Sequence, residues 1–457
     1  MKPEDFNQHL KTYLKHNEER LIGNLAELVA QPSVSSTSEG VEECCRLIVN
    51  KMKQIGMDAT IYPVKPHPVI VGSVGQDPKK KTVLVYAHYD VQPQGNVEQW
   101  RTPPFEPAIV DGVMYGRGTA DNKGPLMAHL SAIEFWLKEY GELPVNVKTI
   151  FEGSEESNSE GLPEFLEDHK ELLAADMVYF SDGSKNHNDQ PIIAMGVKGM
   201  LYVELVLTTM TRNVHSQYAP VLPSAAWQMV QLLNKLKTED GFVHIPCFYD
   251  DVVPSTEAER EIYASLPDVG EDLLKSYGTY PVYPEDKGYY VQLNGTPSFN
   301  ISGLSSGYIG EGTATVLTAK ATAKIDMRLV ARQDGAKILQ NLKQYIKDLG
   351  YDNVEVICRG ITEPAKTPVD TPYLKPVKEA VKKVFGPYMV YPNRPSTAPD
   401  YLWTNILGLP TIQVRWCDPT SDNHAPNEHL TLSNYIRGTQ LTAMVFKEIG
   451  EMRGEAL

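Results

Sequence analysis

The chain has 457 residues, which is too long for a single ordinary hydrophobic core, so two domains are expected. Hydrophobic residues make up 42% of the sequence and charged residues 22%, the balance of a globular protein. The net charge of -15 argues against nucleic acid and anionic membrane surfaces as partners, because both attract a basic face. No apolar run approaches the roughly 20 residues that a membrane-spanning helix needs.

Cysteine usage indicates a reducing compartment. The five cysteines are an odd number and include no CxxC pair, so we expect reduced, mostly buried thiols. Residues 1–25 are charged throughout and lack the apolar stretch of a secretory signal. The sequence therefore predicts a cytoplasmic protein.

The first part of the chain alternates between strand and helix patterns, which is typical of an α/β fold. Apolar residues at helical spacing predict helices over 6–29, with Pro32 ending the first, and over 41–52 and 126–137. Short apolar runs predict strands at 58–62, 69–74, 82–87, 145–151 and 177–180.

The pattern changes near residue 197. Leu201–Thr208 and Ala321–Met327 alternate apolar and polar residues, as strands do in a sheet with one solvated face. We therefore predict an inserted α+β domain over 197–361, with residues 1–196 and 362–457 forming the first domain. Further helices are expected near 224–236, 256–276, 334–349, 372–385 and 431–449, and a strand at 411–415.

Imidazole and carboxylate groups follow the predicted strands of the first domain, where open α/β sheets place their ligands. Such groups are the ligands of Zn²⁺ and also suit Mn²⁺ and Co²⁺. Five candidate ligands, one of them a bridging carboxylate, suit two metal ions better than one. The five ligands would come from seven such groups, which are His88, Asp90, Asp121, Glu155, Glu156, Asp182 and His424.

Local spacing indicates how some of these groups divide their tasks. Asp90 follows His88 by two residues, so its carboxylate can accept the other imidazole N–H of His88. The adjacent side chains of Glu155 and Glu156 diverge, so one can bind metal while the other exchanges a proton with a metal-activated water. The residues alone leave open which glutamate has which task.

Several blocks of the sequence resemble one known family. They are AHYDVQP, W…PFEP…DGVMYGRGTADNKGP, FEGSEESNSEGL, YFSDGS, GVKG, RNVHS, DMRLV and SDNHAPNE, in the family's order over nearly the whole chain. The chain resembles the dinuclear zinc metallopeptidases that include carboxypeptidase G, aminoacylase and succinyl-diaminopimelate desuccinylase, and most closely their carnosinase-like branch of cytosolic nonspecific dipeptidases. The resemblance implies an α/β catalytic domain, whose mixed sheet is flanked by helices, and an inserted lid and dimerisation domain.

The resemblance also implies two divalent metal ions per subunit. Zinc is the expected metal, with manganese or cobalt as alternatives. His88 and Asp182 would bind one ion, Glu156 and His424 the other, and Asp121 would bridge them.

Five further roles follow from the same resemblance. Asp90 would orient a ligating histidine, and Glu155 would be the general base and acid. His215, in RNVHS, would reach the neighbouring subunit of a homodimer and stabilise the oxyanion. Arg328, in DMRLV, would hold the free C-terminal carboxylate of a short peptide. Thr315 would contact the substrate.

These roles predict hydrolysis of dipeptides or other short peptides by a metal-activated water. One alternative is an N-acyl-amino-acid amidohydrolase, a deacylase or desuccinylase with the same metal site. Another is a non-catalytic metal-binding or scaffold protein, which predicts lost ligands, although every expected position is filled. The segment NRPSTAPD at 393–400 replaces the branch's glycine-rich loop GGSIP, which bears on the substrate. The segment 249–286 receives no assigned role.

Overall fold

The computed structural model describes residues 3–280 and 288–452, and the chain divides into two compact units. The first unit comprises Met1–Met195, Thr367–Pro392 and Leu402–Leu457; the second comprises Gly196–Lys366 and Asn393–Tyr401. The second unit thus extends beyond the predicted 197–361 and includes the segment that replaces the glycine-rich loop. The lid and dimerisation roles stay predictions. Part of the unassigned segment, 281–287, lies outside the described residues.

The bounds of the elements are as follows. The helices are α1 (Pro3–Ala30), α2 (Val41–Gln54), α3 (Lys123–Tyr140), α4 (Leu162–Asp168), α5 (Lys170–Leu173), α6 (Ala225–Leu236), α7 (Glu257–Ala264), α8 (Gly270–Tyr277), α9 (Tyr289–Gly295), α10 (Gly335–Asp348), α11 (Leu374–Phe385) and α12 (Leu432–Gly450). The strands are β1 (Asp58–Tyr62), β2 (Val69–Val74), β3 (Thr82–His88), β4 (Ala108–Val110), β5 (Val113–Tyr115), β6 (Asn146–Glu152), β7 (Met177–Phe180), β8 (Ile192–Ala194), β9 (Gly196–Val197), β10 (Gly199–Thr208), β11 (Val214–His215), β12 (Ser298–Ser306), β13 (Val316–Leu317), β14 (Lys320–Leu329), β15 (Val354–Thr362), β16 (Ala365–Lys366), β17 (Met389–Tyr391), β18 (Thr411–Arg415) and β19 (His429–Thr431).

The first unit is built on a mixed eight-stranded sheet in the order β1-β2-β6-β3-β7-β18-β8-β17. Strand β3 is parallel to β6 and β7, and β18 is parallel to β7. The apolar runs of β3 and β7 are buried, as their composition predicts. Among the helices, α1 contacts α3 where Phe6 stacks on Trp136. These observations confirm the predicted α/β class. None of the described helices is long and apolar enough to cross a membrane.

The second unit contains an antiparallel four-stranded sheet in the order β12-β14-β10-β15. Alternate residues of β10 and β14 are buried, which matches the predicted one-sided pattern. Helices α6 and α10 supply the other half of this core. The core includes Leu201, Val203, Leu205, Met229, Leu232, Ile325, Met327, Ile338 and Leu342.

The single helix predicted around 256–276 is wrong, because the structure has two short helices there. Helix α7 begins with a capping box between Thr256 and Glu259 and ends at Ala264. Pro267 lies in the gap before α8, where a proline would remove a helical hydrogen bond and clash with the preceding turn.

Candidate metal centre

Parallel strands of the first unit bring the predicted ligands to one edge of its sheet. Strand β3 ends at His88, β6 is followed by Glu155 and Glu156, and β7 ends two residues before Asp182. Because β3 lies between β6 and β7 and is parallel to both, these side chains share the carboxyl edge.

Two loop residues reach the same edge. Asp121 precedes α3, and His424 lies between β18 and β19. One Asp121 oxygen, Oδ1, is 3.1 Å from His88 Nε2, and the other, Oδ2, is 3.1 Å from His424 Nε2. Glu156 Oε2 lies 3.2 Å from His424 Nε2. The Asp121 carboxylate therefore presents one oxygen to each imidazole.

The donor atoms form two groups that share Asp121. One group is His88, Asp121 and Asp182, and the other is Asp121, Glu156 and His424, with the atoms of each within 4.8 Å of one another. Over residues 3–280 and 288–452, no lysine or arginine forms an ion pair with these carboxylates. Imidazole nitrogens and carboxylate oxygens that have no lysine or arginine partner fit divalent ions such as zinc.

Glu155 stands beside these groups. Its carboxylate lies within 4.8 Å of donor atoms of His88 and Glu156, but it is in neither group that contains Asp121. In the part of the chain that the structure describes, the carboxylates of Glu155 and Asp182 accept no hydrogen bond from the protein. Both carboxylates are therefore free to face a cation, a water molecule or a substrate.

Buried Asp90 contacts both the first histidine and the glutamate turn. His88 Nδ1 is 3.5 Å from Asp90 Oδ1 and 3.2 Å from the Asp90 carbonyl oxygen. The Asp90 carboxylate also accepts the backbone N–H groups of Glu155 at 3.1 Å and Glu156 at 3.0 Å. Asp90 thus fixes the position of the two glutamates, a task that the sequence analysis did not foresee.

The pKa values reflect a concentration of buried negative charge. Burial raises the pKa of Glu155 well above its usual range, against the lowering effect of His88. Burial, reinforced by Asp121, raises the pKa of Asp182 to about 6. Hydrogen bonds to Asp121 and Glu156 raise the pKa of His424 to about 10. Divalent cations at this edge would relieve the same repulsion among carboxylates.

The loop that carries Asp121 is held by Glu428 from the C-terminal loop. Glu428 Oε1 accepts the backbone N–H groups of Ala120 and Asp121, both at 3.0 Å. Glu428 Oε2 accepts the Gly118 N–H at 2.9 Å and Arg117 Nη1 at 2.8 Å. Gly118 has φ +88°, a conformation that favours glycine, and a Cβ there would meet a neighbouring side chain at 2.6 Å.

Neither Arg117 nor Glu428 was predicted to have a role, although both residues lie in the blocks that carry the resemblance. The available signal was one arginine inside a glycine-rich loop and one glutamate directly before a short strand. Each is almost fully buried, at 1% and 0% exposure. An unpaired charge buried at either position would destabilise the fold, so a buried arginine and a buried glutamate are expected to pair with each other.

The remaining predicted site residues lie in the second unit. Strand β11 pairs with β13, and Thr315 Oγ1 lies 3.1 Å from His215 Nε2, with both side chains exposed. Half-buried Arg328, on β14, donates from Nη1 to Thr397 Oγ1 at 2.5 Å. Burial and the charge of Arg328 lower the pKa of Lys198 to about 8. Arg328 therefore has a hydroxyl partner and a second cation close by.

Comparison with known proteins decides the family. Residues 84–448 match the model of peptidase family M20/M25/M40. The chain belongs to this family. Beta-Ala-His dipeptidase of Homo sapiens is 30% identical over 398 residues, which cover 84% of this chain and 78% of the relative.

Two further members of the M20 group cover almost the whole chain. Cys-Gly metallodipeptidase dug1 of Schizosaccharomyces pombe is 28% identical over 472 residues, with 95% of this chain and 96% of the relative covered. The crystal structure of the M20 family metallo-carboxypeptidase Sso-CP2 from Sulfolobus solfataricus has a TM-score of 0.81 and 35% identity, covering 94% and 99% of the two chains. The predicted family and its class, metal-dependent peptide hydrolases, are confirmed. The individual ligand roles and the metal stay predictions.

Proposed function

We propose that this M20 peptidase hydrolyses dipeptides and other short peptides at a centre of two divalent metal ions. The two groups of ligand-type side chains that share Asp121 carry the proposal. Its relatives include a Beta-Ala-His dipeptidase and a Cys-Gly metallodipeptidase, and both names denote action on dipeptides. We place the activity in the cytoplasm, since all five cysteines are free thiols.

The ligands divide as the two groups suggest. His88 and Asp182 would hold one ion, Glu156 and His424 would hold the other, and Asp121 would be shared between the two. Zinc is the expected metal, and manganese or cobalt would accept the same donors. When bound, such a pair supplies Lewis-acid polarisation of the scissile carbonyl and makes a nearby water more acidic.

Glu155 is the proton carrier. Its carboxylate is beside the ligands yet outside both groups that contain Asp121, and Asp90 fixes its backbone. Glu155 accepts a proton from the attacking water and returns it to the amine nitrogen as the peptide bond breaks. This protonation lets the nitrogen leave as a neutral amine instead of a strongly basic amide anion.

The second unit supplies the substrate contacts. Arg328 offers its planar guanidinium to the free C-terminal carboxylate, a pairing that favours two parallel hydrogen bonds. Thr397 accepts a hydrogen bond from Arg328 and belongs to the segment 393–400 that replaces the glycine-rich loop. This segment therefore helps to orient the Arg328 guanidinium, which we call the carboxylate clamp. His215 and Thr315, joined by a hydrogen bond, act on the site of a neighbouring subunit, where His215 stabilises the developing oxyanion.

This last role requires a homodimer, and the second unit has an exposed apolar surface that suits one. Strand β12 is an edge strand, and its Ile301 and Leu304 are exposed. Trp227 and Val230 are exposed on one face of α6, with Trp227 at 68%. Exposed apolar side chains at a sheet edge and on a helix are typical of a subunit interface.

A carboxypeptidase that accepts longer peptides is a second candidate, favoured by the likeness to the Sulfolobus enzyme. A deacylase would use the same metals with an acyl group in place of the N-terminal residue. The carboxylate clamp would suit the dipeptidase, the carboxypeptidase and the deacylase alike. The three activities differ only in the group on the carbonyl side of the scissile bond: one amino acid, a longer peptide or an acyl group.

One mass-spectrometric screen tests these candidates. Metal-stripped protein is resupplied with Zn²⁺ or Mn²⁺ and given dipeptides, dipeptide amides, longer peptides and N-acyl amino acids. Cleavage of dipeptides but not of their amides is expected. Stepwise C-terminal trimming of longer peptides would select the carboxypeptidase, and cleavage of acyl amino acids alone would select the deacylase.

A further inference from the structure

Two ligands of the proposed centre come from segments that are far apart in sequence. Asp121 lies before α3, whereas His424 lies near the C-terminus. Glu428 connects these segments, because it follows His424 by four residues and its carboxylate binds the Asp121 loop. The backbone reinforces the connection: Gly116 donates its N–H to the Glu428 carbonyl at 3.0 Å.

We propose that Glu428 is a positioning residue that sets the orientation of the Asp121 carboxylate and thereby the affinity for the metal pair. This inference rests on the proposed function, in which Asp121 bridges the two ions. One carboxylate oxygen of Glu428 holds the N–H groups of both Ala120 and Asp121, so the backbone of the bridging residue is fixed on its N-terminal side. Hydrogen bonds to an ionised acceptor are stronger than those to a neutral one.

The position of Glu428 is itself determined from the opposite side. Arg117 donates to Glu428 Oε2 at 2.8 Å, and both side chains are 1% exposed. The other end of the guanidinium donates to the Pro93 carbonyl at 3.1 Å, and its carbon lies 5.2 Å from the Trp100 ring centroid. Glu428 therefore cannot turn away from the Asp121 loop without breaking a buried ion pair.

Glu428 differs from other buried acidic residues with an arginine partner because it also accepts backbone N–H groups of the Asp121 loop. Glu134, also in the first unit, is nearly buried and accepts Arg20 with both oxygens at 2.9 Å. Glu134 binds no backbone N–H of a ligand segment, so it is a matched control for the loss of a buried charge.

The test is a Co²⁺ titration of metal-stripped full-length protein, followed by visible absorption and calorimetry. Glu428→Gln leaves one acceptor oxygen, so one pair of donors must face an amide NH₂. We expect Co²⁺ affinity to fall about 10- to 100-fold, the usual loss when the partner of a metal ligand is removed, together with an altered visible spectrum. Glu134→Gln should bind Co²⁺ as the wild type does.

A second variant keeps the test decisive if Glu428→Gln fails to fold. The double variant Arg117→Met/Glu428→Met replaces the whole ion pair with apolar side chains, a change that buried pairs often tolerate. It still removes the acceptor from Ala120 and Asp121, so the same loss of affinity is expected. Wild-type Co²⁺ affinity and spectrum in either folded variant would overturn the inference. A wild-type protein that binds no Co²⁺ would instead overturn the proposed function, and this inference with it.

Discussion

The replacement Glu155→Gln separates metal binding from proton transfer. Glutamine keeps the size of the side chain and leaves the backbone N–H that Asp90 accepts at 3.1 Å. The two groups of donor atoms that share Asp121 do not include Glu155. The variant should therefore fold, bind two metal ions and bind substrate, while it lacks the group that carries the proton.

The expected loss follows from what the carboxylate does. A positioned general acid or base contributes about 10²- to 10⁴-fold to the rate. At about 1.4 kcal/mol for each factor of ten, this is about 3–6 kcal/mol of transition-state stabilisation. In the proposed role Glu155 serves both the water and the leaving amine, so we expect the loss of kcat to lie near the 10⁴-fold end of this range, with KM nearly unchanged.

The assay measures kcat and KM on a dipeptide after metal content has been determined by elemental analysis. Glu160→Gln is the matched control, since Glu160 is an exposed glutamate of the same acidic segment and should keep wild-type turnover. A Glu155→Gln protein with two bound ions and wild-type kcat would refute the assignment of the proton carrier.

Three other changes probe the remaining roles. Arg328→Met should lower kcat/KM on dipeptides about 10- to 100-fold, the value of a charged hydrogen bond of about 1.5–3 kcal/mol, and wild-type kcat/KM in this variant would exclude a carboxylate clamp. Trp227→Glu should give a monomer by light scattering with little activity, and a fully active monomer would remove His215 from the neighbouring site. Burial lowers the pKa of His129 to about 3, below its unfolded value of about 6.5, so unfolded chains bind a proton that folded ones do not. Unfolding free energy should therefore fall by up to about 1.4 kcal/mol per pH unit from pH 6.5 down to 3, and His129→Gln should flatten this slope in urea titrations. An unchanged slope would contradict the buried neutral imidazole.

The central strands of the first unit could be predicted from the sequence because their residues are apolar on both faces. Strand β3 is buried along nearly its whole length, and an uninterrupted apolar run shows this directly. Strands β8 and β17 were not predicted, because a strand of three residues is too short to show an alternation of apolar and polar residues. In addition, β8 and β17 pair Ile192 with Met389, and local sequence patterns do not predict a pairing between residues so far apart in the chain.

The meeting of the candidate ligands was predictable for a related reason. His88 ends β3 and Asp182 follows β7, two parallel strands of one mixed sheet, and topology alone brings such strand ends together. The second task of Asp90 was not predictable, because its partners are the backbone N–H groups of Glu155 and Glu156. Every residue except proline carries such a group, so the sequence does not show which of them a carboxylate will find.

Hydrogen bonding separates the carboxylates of this site into two kinds. Asp90 and Glu428 each accept two or more donors, among them backbone N–H groups, and so hold segments of chain in place. Glu152 is intermediate: its Oε1 accepts the hydroxyl groups of Tyr86 and Ser159, its Oε2 is buried without a partner among the described residues, and burial raises its pKa to about 7. By contrast, Glu155 and Asp182 accept no hydrogen bond from the described residues. A carboxylate that accepts several hydrogen bonds from the protein has fewer lone pairs left for a cation or a water proton than one that accepts none. Glu155 and Asp182 therefore keep more acceptor capacity than Asp90 and Glu428, which supports the proton-carrier and ligand roles proposed for them.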